Sequence, residues 1–303
     1  MSYQLEAVER KIEQFINELD SNDAKMLYKA LPKGKRLRAK LILIIGKNSL
    51  ESVKLAAVVE MIHGASLLHD DVIDDATIRR GKPSINATFG TKTAIMFGDI
   101  LYSKGFFELV DLDKRVAKII SNAVTELSLG ERLDVVLSEK FNPNKALYMK
   151  MIYQKTASLI EASAEAAAIL AGKEAQKSIY RVYGKNLGLA FQIIDDLLDI
   201  TQDSKTLGKP AMADFKEGKT TLPYIYLYEQ LNEKERAYLL SLFKKSLTKD
   251  EESWIKSQMQ TKGVLEHLFM EAKNLIEEAV ELVSREGEYK LEEIAKKMIE
   301  RSY

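Results

Sequence analysis

Residues 67–83 read "LLHDDVIDDATIRRGKP" and crowd four aspartates, Asp70, Asp71, Asp74 and Asp75, into six positions ahead of Arg79 and Arg80. On a helix, Asp70 and Asp74 share one face a turn apart, and Asp71 and Asp75 form a second such pair beside them. Like charges at that spacing repel. The stop signals that follow, Arg79, Arg80, Gly81 and Pro83, put the cluster near a helix C-terminus, where the backbone dipole disfavours anions. Something should compensate. One answer is a solvated helix end neutralised by the two arginines. The other is a hard cation such as Mg²⁺, which takes one or two carboxylates and fills its remaining positions with water and phosphate oxygens. The apolar, small-residue run "MIHGASLL" just before the cluster favours the second, because it marks the helix as buried.

The pattern returns 125 positions later in "FQIIDDLLDITQD", as Asp195, Asp196 and Asp199. One DDxxD is a weak signal. Two, each on an apolar helix, could clamp several Mg²⁺ ions around one polyphosphate. Basic residues suited to phosphate oxygens accompany them: Lys35, Arg36 and Arg38 in "PKGKRLRAKL", Lys155 with Thr156 in "YQKTASL", and Lys209 and Lys219 in a glycine-containing stretch.

These residues must be carried by helices. Only 15 glycines and 5 prolines punctuate 303 residues. "LEAVERKIEQFINEL" spaces Leu5, Val8, Ile12, Phe15, Ile16 and Leu19 by threes and fours, and "KTASLIEASAEAAAILAG" is small and apolar all round, as in a helix packed among helices. No segment reads as a strand. Residues 201–223, "TQDSKTLGKPAMADFKEGKTTLP", read as a long functional loop between two helices. Beyond residue 230 the charge-rich sequence predicts solvated helices with one buried stripe. The expectation is one all-α domain over residues 1–303. Lysine plus arginine equals aspartate plus glutamate, 45 each, which argues against a general nucleic-acid binder. Having no cysteine excludes disulfides, thiolate zinc and a cysteine nucleophile. No run reaches the roughly 18 apolar residues of a membrane span, and the N-terminus lacks the pattern of a signal peptide. A cytoplasmic protein is expected.

From about residue 30 to 225 the chain resembles the trans-isoprenyl diphosphate synthases, the head-to-tail polyprenyl synthase family. The resemblance rests on "GKRLR", "HGASLLHDDVIDDATIRRGKP", "KTA", "GLAFQIIDDLLD" and "LGKPAMADFKEGKTTLP", in the family's order and spacing. It implies a single large helical bundle of the isoprenoid synthase type with a central cavity between helices. It implies condensation of isopentenyl diphosphate with an allylic diphosphate, two or three Mg²⁺ ions per site, and a homodimer. Among the residues, it implies Asp70, Asp71 and Asp74 as metal ligands on one wall and Asp195 and Asp199 on the other. Arg79 matches the allylic diphosphate arginine. Arg80, Lys35, Arg38 and His63 match the isopentenyl diphosphate site, and Lys155, Thr156, Gln192, Lys209 and Lys219 match positions that contact the allylic diphosphate. Ala39, where a proline is common, and Gln202, where a glycine is common, depart from the pattern without touching an expected ligand.

Ala65 and Ser66 lie about a turn before Asp70, where short-chain members often carry a blocking aromatic residue. Both are small, and the first motif lacks the two-residue insertion of many short-chain synthases, so a C30 to C40 product is expected. The alternatives are a short-chain farnesyl or geranylgeranyl diphosphate synthase, in which a deeper residue sets the floor, and a terpene cyclase, whose second metal motif would differ. "EMIH", residues 60–63, also matches the Glu-x-x-His of a di-iron bundle, but neither His69 nor His267 has a glutamate three residues earlier to complete such a site.

Overall fold

The three-and-four spacing becomes helix along nearly the whole chain. The computed structural model describes residues 2–201 and 212–300, and they divide into two compact units. The first comprises Met1–Thr125 and Leu159–Gly184, the second Glu126–Ser158 and Lys185–Tyr303.

The first unit opens with α1 (Ser2–Asn17), which buries Val8, Ile12, Phe15 and Ile16 on one stripe. It continues with α2 (Asn22–Ala30), α3 (Leu37–Ile45) and α4 (Leu50–Ile73). Helix α4 is the spine. It packs against α1, α3 and α6 (Thr91–Leu109), and its run Leu55–Ile62 is buried all round. That is what the sequence asks of a helix with apolar residues on every face. Between α4 and α6 lie a two-residue hairpin, β1 (Ile78–Arg79) with β2 (Lys82–Pro83), and the short α5 (Ile85–Phe89). The hairpin turns on Arg80 and Gly81, both at positive φ (53° and 73°). The helix therefore stops well before the arginines that the sequence reading took as its end.

Two long helices run from one unit's residues into the other's: α7 (Lys114–Leu137) and α10 (Lys177–Thr201). The second unit also contains α8 (Lys145–Ile152), which passes into a π-helical turn, Tyr153–Ala157. Helix α9 (Ser158–Leu170) follows and belongs almost wholly to the first unit. After α10 come α11 (Ala213–Glu217), α12 (Leu222–Gln230), α13 (Glu233–Leu242), α14 (Lys249–Thr261), α15 (Val264–Arg285) and α16 (Tyr289–Ile299). The stretch read as one loop over 201–223 thus contains α11, ended by Gly218 at φ 92°, and the start of α12, with Pro223 in its first turn. The charged C-terminal helices bury single stripes as expected: Val264, Leu268, Ala272, Ile276, Ala279 and Val283 on α15. No described helix is long and apolar enough to cross a membrane.

Candidate active site

In the first unit the aspartate cluster straddles the end of α4. Asp74 is the C-cap, and its N–H bonds the Asp70 carbonyl at 2.8 Å. Asp75 takes the left-handed conformation (φ 49°), and the Ala76 N–H reaches back to the Asp71 carbonyl at 2.8 Å. This is the six-to-one closure usually made around glycine; aspartate tolerates it because its short polar side chain suits that region. Asp75 is therefore the helix stop. Asp70 is half-buried, Asp74 is exposed, and Asp71 is only 4% exposed. Arg79, held on β1, donates from Nε to Asp71 Oδ1 at 2.7 Å, with Nη2 at 2.5 Å from the same oxygen. Asp71, expected from the resemblance among the metal ligands, is here engaged in holding the arginine.

The same unit gathers the basic residues of the 32–36 loop and the first turn of α3. Arg80 Nη1 donates to the Pro32 carbonyl at 3.0 Å, and its guanidinium lies so close to Gly34 that a Cβ there would stand 2.6 Å from Nη1. Arg36 sits in the left-handed region (φ 54°, ψ 43°), a strain of roughly 1–2 kcal/mol for a side-chain-bearing residue. Its Nε donates to Glu9 at 2.7 Å and its Nη1 to Glu60 at 3.0 Å. Arg38 has a buried Nε with no hydrogen-bond partner among the described residues. Burial, opposed by Glu60 and reinforced by Arg80, pulls its guanidinium down to about 10, so it stays charged at neutral pH. Burial, with Arg38, Arg80, Arg36 and Arg79 adding to it, holds His63 well below the usual histidine range and keeps the ring neutral. Lys35 is exposed. Arg38, Arg80 and His63 thus lie within electrostatic reach of one another, two guanidinium groups near a neutral ring.

In the second unit Asp195, Asp196 and Asp199 lie within α10, short of its end. Asp195 is exposed; Asp196 and Asp199 are 1% and 2% exposed. Tyr148 on α8 donates to Asp196 Oδ2 at 2.5 Å, and Gln192 Nε2 donates to Asp196 Oδ1 at 3.1 Å. Thr156 in turn donates to Gln192 Oε1 at 3.1 Å. Burial pushes the Asp196 carboxyl well above the usual carboxylate range; the two donors oppose this and the negative charges of Asp214 and Asp195 add to it. The π-helical turn that carries Lys155 and Thr156 fits because glycines face it. A Cβ on Gly130 of α7 would stand 2.4 Å from the Lys155 nitrogen, and one on Gly188 of α10 would stand 2.5 Å from the Ala157 Cα. Such turns recur at functional sites. Lys155 Nζ is held by Asp134 at 2.6 Å and Glu131 at 2.8 Å, one turn apart on α7. Asp199 anchors the next segment: its carbonyl accepts from Met212 N at 2.9 Å and its Oδ2 from Asp214 N at 3.4 Å. Phe215, fully buried, stacks on Tyr224 at 4.3 Å and so places α11 and the half-buried Lys219 after it. Lys219 pairs with Glu217 at 3.3 Å.

Lys209 lies outside the described residues. Ala65 and Ser66 are buried in α4, with the Ser66 hydroxyl donating to the His63 carbonyl at 2.9 Å. Sequence reasoning missed Tyr148, Glu131, Asp134, Asp214, Glu9 and Glu60, all of which hold or surround the expected site residues. Glu131 and Asp134 left a signal, as acids three apart beside a glycine on an amphipathic helix, and Glu60 left one in "EMIH", read there only as a di-iron match.

The chain matches the family model described as polyprenyl synthetase over residues 22–259. An octaprenyl pyrophosphate synthase crystal structure from Helicobacter pylori superposes with a TM-score of 0.92 at 45% identity, covering 99% of each chain. A polyprenyl synthase from Caulobacter crescentus, solved with calcium and isoprenyl diphosphate, superposes with a TM-score of 0.88 at 30% identity, covering 100% of this chain and 96% of that one. A short chain isoprenyl diphosphate synthase from Methanothermobacter thermautotrophicus is 37% identical over 219 residues, 69% of this chain and 67% of its own. With two DDxxD motifs, a cluster of arginines in the unit of the first and a lysine-bearing π-helical turn beside the second, this chain belongs to the polyprenyl synthetase family of trans-prenyltransferases.

Proposed function

We propose that residues 1–303 act as one catalytic domain of a cytoplasmic, Mg²⁺-dependent enzyme that condenses isopentenyl diphosphate with an allylic diphosphate to a C30–C40 polyprenyl diphosphate. The observation that carries the reading is the repeat of DDxxD with a different cation set at each copy: Arg38 and Arg80, near the neutral His63, in the unit of the first, Lys155 and Lys219 in the unit of the second. Two cation sets suit two diphosphates. The donor chemistry also fits the metal. Asp70 and Asp74 offer oxygen at one-turn spacing and the exposed Asp195 offers it on α10, whereas Asp199, expected among the ligands, is buried and holds residues 212–214. Mg²⁺ usually takes only one or two carboxylates and draws its remaining ligands from water and phosphate. Bound there, Mg²⁺ would stabilise the charge that builds on the departing diphosphate.

The protein's own part is to bind and orient. In the first unit Arg79, braced by Asp71, presents a fixed cation, and in the second Lys155, braced by Glu131 and Asp134, presents another; each suits the oxygens of a diphosphate. Arg38, Arg80 and Lys35 hold isopentenyl diphosphate so that its double bond meets the allylic carbon as the C–O bond ionises. The proton lost afterwards goes to the released diphosphate, so no protein nucleophile is needed. Lys219, placed after α11, adds a further cation in the second unit, and excluding water from the site would protect the carbocation from quenching. Small Ala65 and Ser66 leave the growing chain room, and the 45% identity to an octaprenyl synthase supports a long product. The short-chain relative keeps a C15 or C20 product as the second reading. A homodimer is supported by α6, whose Met96, Ile100 and Phe107 are exposed along one apolar face.

The test is a product assay with Mg²⁺, labelled isopentenyl diphosphate and farnesyl diphosphate, sized by mass spectrometry. Products of C30 to C40 are expected. A stop at C15 or C20, with a shorter primer supplied in parallel, would assign the short-chain reading. No condensation from folded protein with any primer would overturn the proposal.

A further inference from the structure

We infer that Glu60 is a positioning residue for isopentenyl diphosphate, a buried carboxylate that fixes the passage from the 32–36 loop into α3 without itself contacting the anion; the substrate named here rests on the function proposed above. The puzzle is why a carboxylate 5% exposed stands among Lys35, Arg36, Arg38 and Arg80 in a pocket meant for an anion. Its bonds answer. Helix α3 begins after Arg36, whose side chain makes no capping bond, so the first amides of α3 lack a local acceptor. Glu60 Oε1, from the middle of α4, accepts the Ala39 N–H at 3.0 Å and caps α3 in place of a local residue. Glu60 Oε2 accepts from Arg36 Nη1 at 3.0 Å. Arg36 Nε is taken by Glu9, which also pairs with Lys33 at 3.0 Å.

Arg36 therefore spends its donors on two carboxylates. It is the anchor of the loop, and its left-handed backbone is the cost of turning the chain there. Its neighbours Lys35, exposed, and Arg38, whose buried Nε has no hydrogen-bond partner among the described residues, are the residues left to meet a diphosphate. The negative charge of Glu60 is matched by Arg36 and by the positive end of α3, so it repels the substrate little while fixing where Arg38 stands.

Glu60→Gln keeps an acceptor for the Ala39 N–H and loses the charge that holds Arg36; Glu60→Ala loses both. In steady-state assays the KM for isopentenyl diphosphate should rise about tenfold in Glu60→Gln and further in Glu60→Ala, as expected when a buried charged donor loses its partner. The KM for the allylic diphosphate should stay within about twofold. Calorimetric titration with isopentenyl diphosphate alone should show the same loss. The double variant Arg36→Gln/Glu60→Gln, which replaces the ion pair by two amides, should recover part of it. Should Glu60→Ala fail to fold, Glu60→Gln carries the test. A KM for isopentenyl diphosphate unchanged in Glu60→Gln, or both KM values rising together, would overturn the inference. A wild-type protein that neither binds nor turns over isopentenyl diphosphate would overturn the substrate reading as well, which the wild-type titration separates from the first case.

Discussion

At the first DDxxD the helix stops, and at the second it runs on. Asp74 caps α4, whereas Asp199, in the same motif position, is buried inside α10 and ties down residues 212–214. What the two copies share is the second aspartate. Asp71 and Asp196 are both buried and both engaged by the protein, while the first aspartate of each, Asp70 and Asp195, is left nearer to solvent. They differ in what engages the second aspartate. Asp71 faces an arginine, and Asp196 faces a tyrosine hydroxyl and a glutamine amide. The same letters are thus braced by charge in one unit and by neutral donors in the other. The motif's outward carboxylates are set apart from its inward ones by packing rather than by residue type.

The largest effect should fall on the outward carboxylates. Asp70→Ala and Asp195→Ala should each cut turnover at least about 100-fold, since each removes an expected contact to the metal that offsets developing charge. Circular dichroism should show the helices intact. Near-normal turnover in both variants would sink the metal assignment, and a loss in only one would show that the two motifs are unequal partners.

A smaller effect separates the two braces. Asp71→Asn leaves Arg79 without its charged partner and should lower stability by about 1–3 kcal/mol, whereas Tyr148→Phe removes one hydrogen bond to Asp196 and should cost about 1 kcal/mol. The Arg79–Asp71 pair is partly open to water, so the Asp71→Asn loss should shrink at high salt while the Tyr148→Phe loss should not. Urea denaturation at low and high salt reads both. Equal salt dependence in the two variants would erase the distinction between a charged and a neutral brace.

The motifs themselves were legible because their chemistry is local. Asp70 to Asp74 and Asp195 to Asp199 repeat a one-turn spacing that any helix displays, and the stripe from Val264 to Val283 is written in steps of three and four. What holds the motifs was hidden for the opposite reason. Glu60 meets Ala39 across 21 positions and Tyr148 meets Asp196 across 48, so no window of the sequence shows either pair. The π-helical turn at Tyr153–Ala157 has no propensity signal of its own. It depends on Gly130 and Gly188 allowing backbone to approach backbone from two other helices. The end of α4 was misread by several residues because Asp75, rather than a glycine, takes the left-handed stop.

The smallest expected effect tests whether charge governs the first unit's pocket as a whole. His63 is neutral in the fold because burial and the guanidinium groups of Arg38, Arg80, Arg36 and Arg79 disfavour its proton. In the unfolded chain it takes up that proton below about pH 6.5. The folded pKa is the lower of the two, so the unfolded state binds more protons as pH falls. The stability tied to His63 is therefore complete above about pH 6.5 and is lost below it, with a slope of at most about 1.4 kcal/mol per pH unit. Glutamine at this position does not titrate. Urea midpoints of the wild type and His63→Gln, taken at pH 7.5 and pH 5.5, should show the gap between them moving in favour of the variant by about 1 kcal/mol at the lower pH. A gap that stays constant would mean that His63 carries its proton in the fold as readily as in the unfolded chain, and that the arginines around it are neutralised more fully than Glu9, Glu60 and Asp71 alone provide.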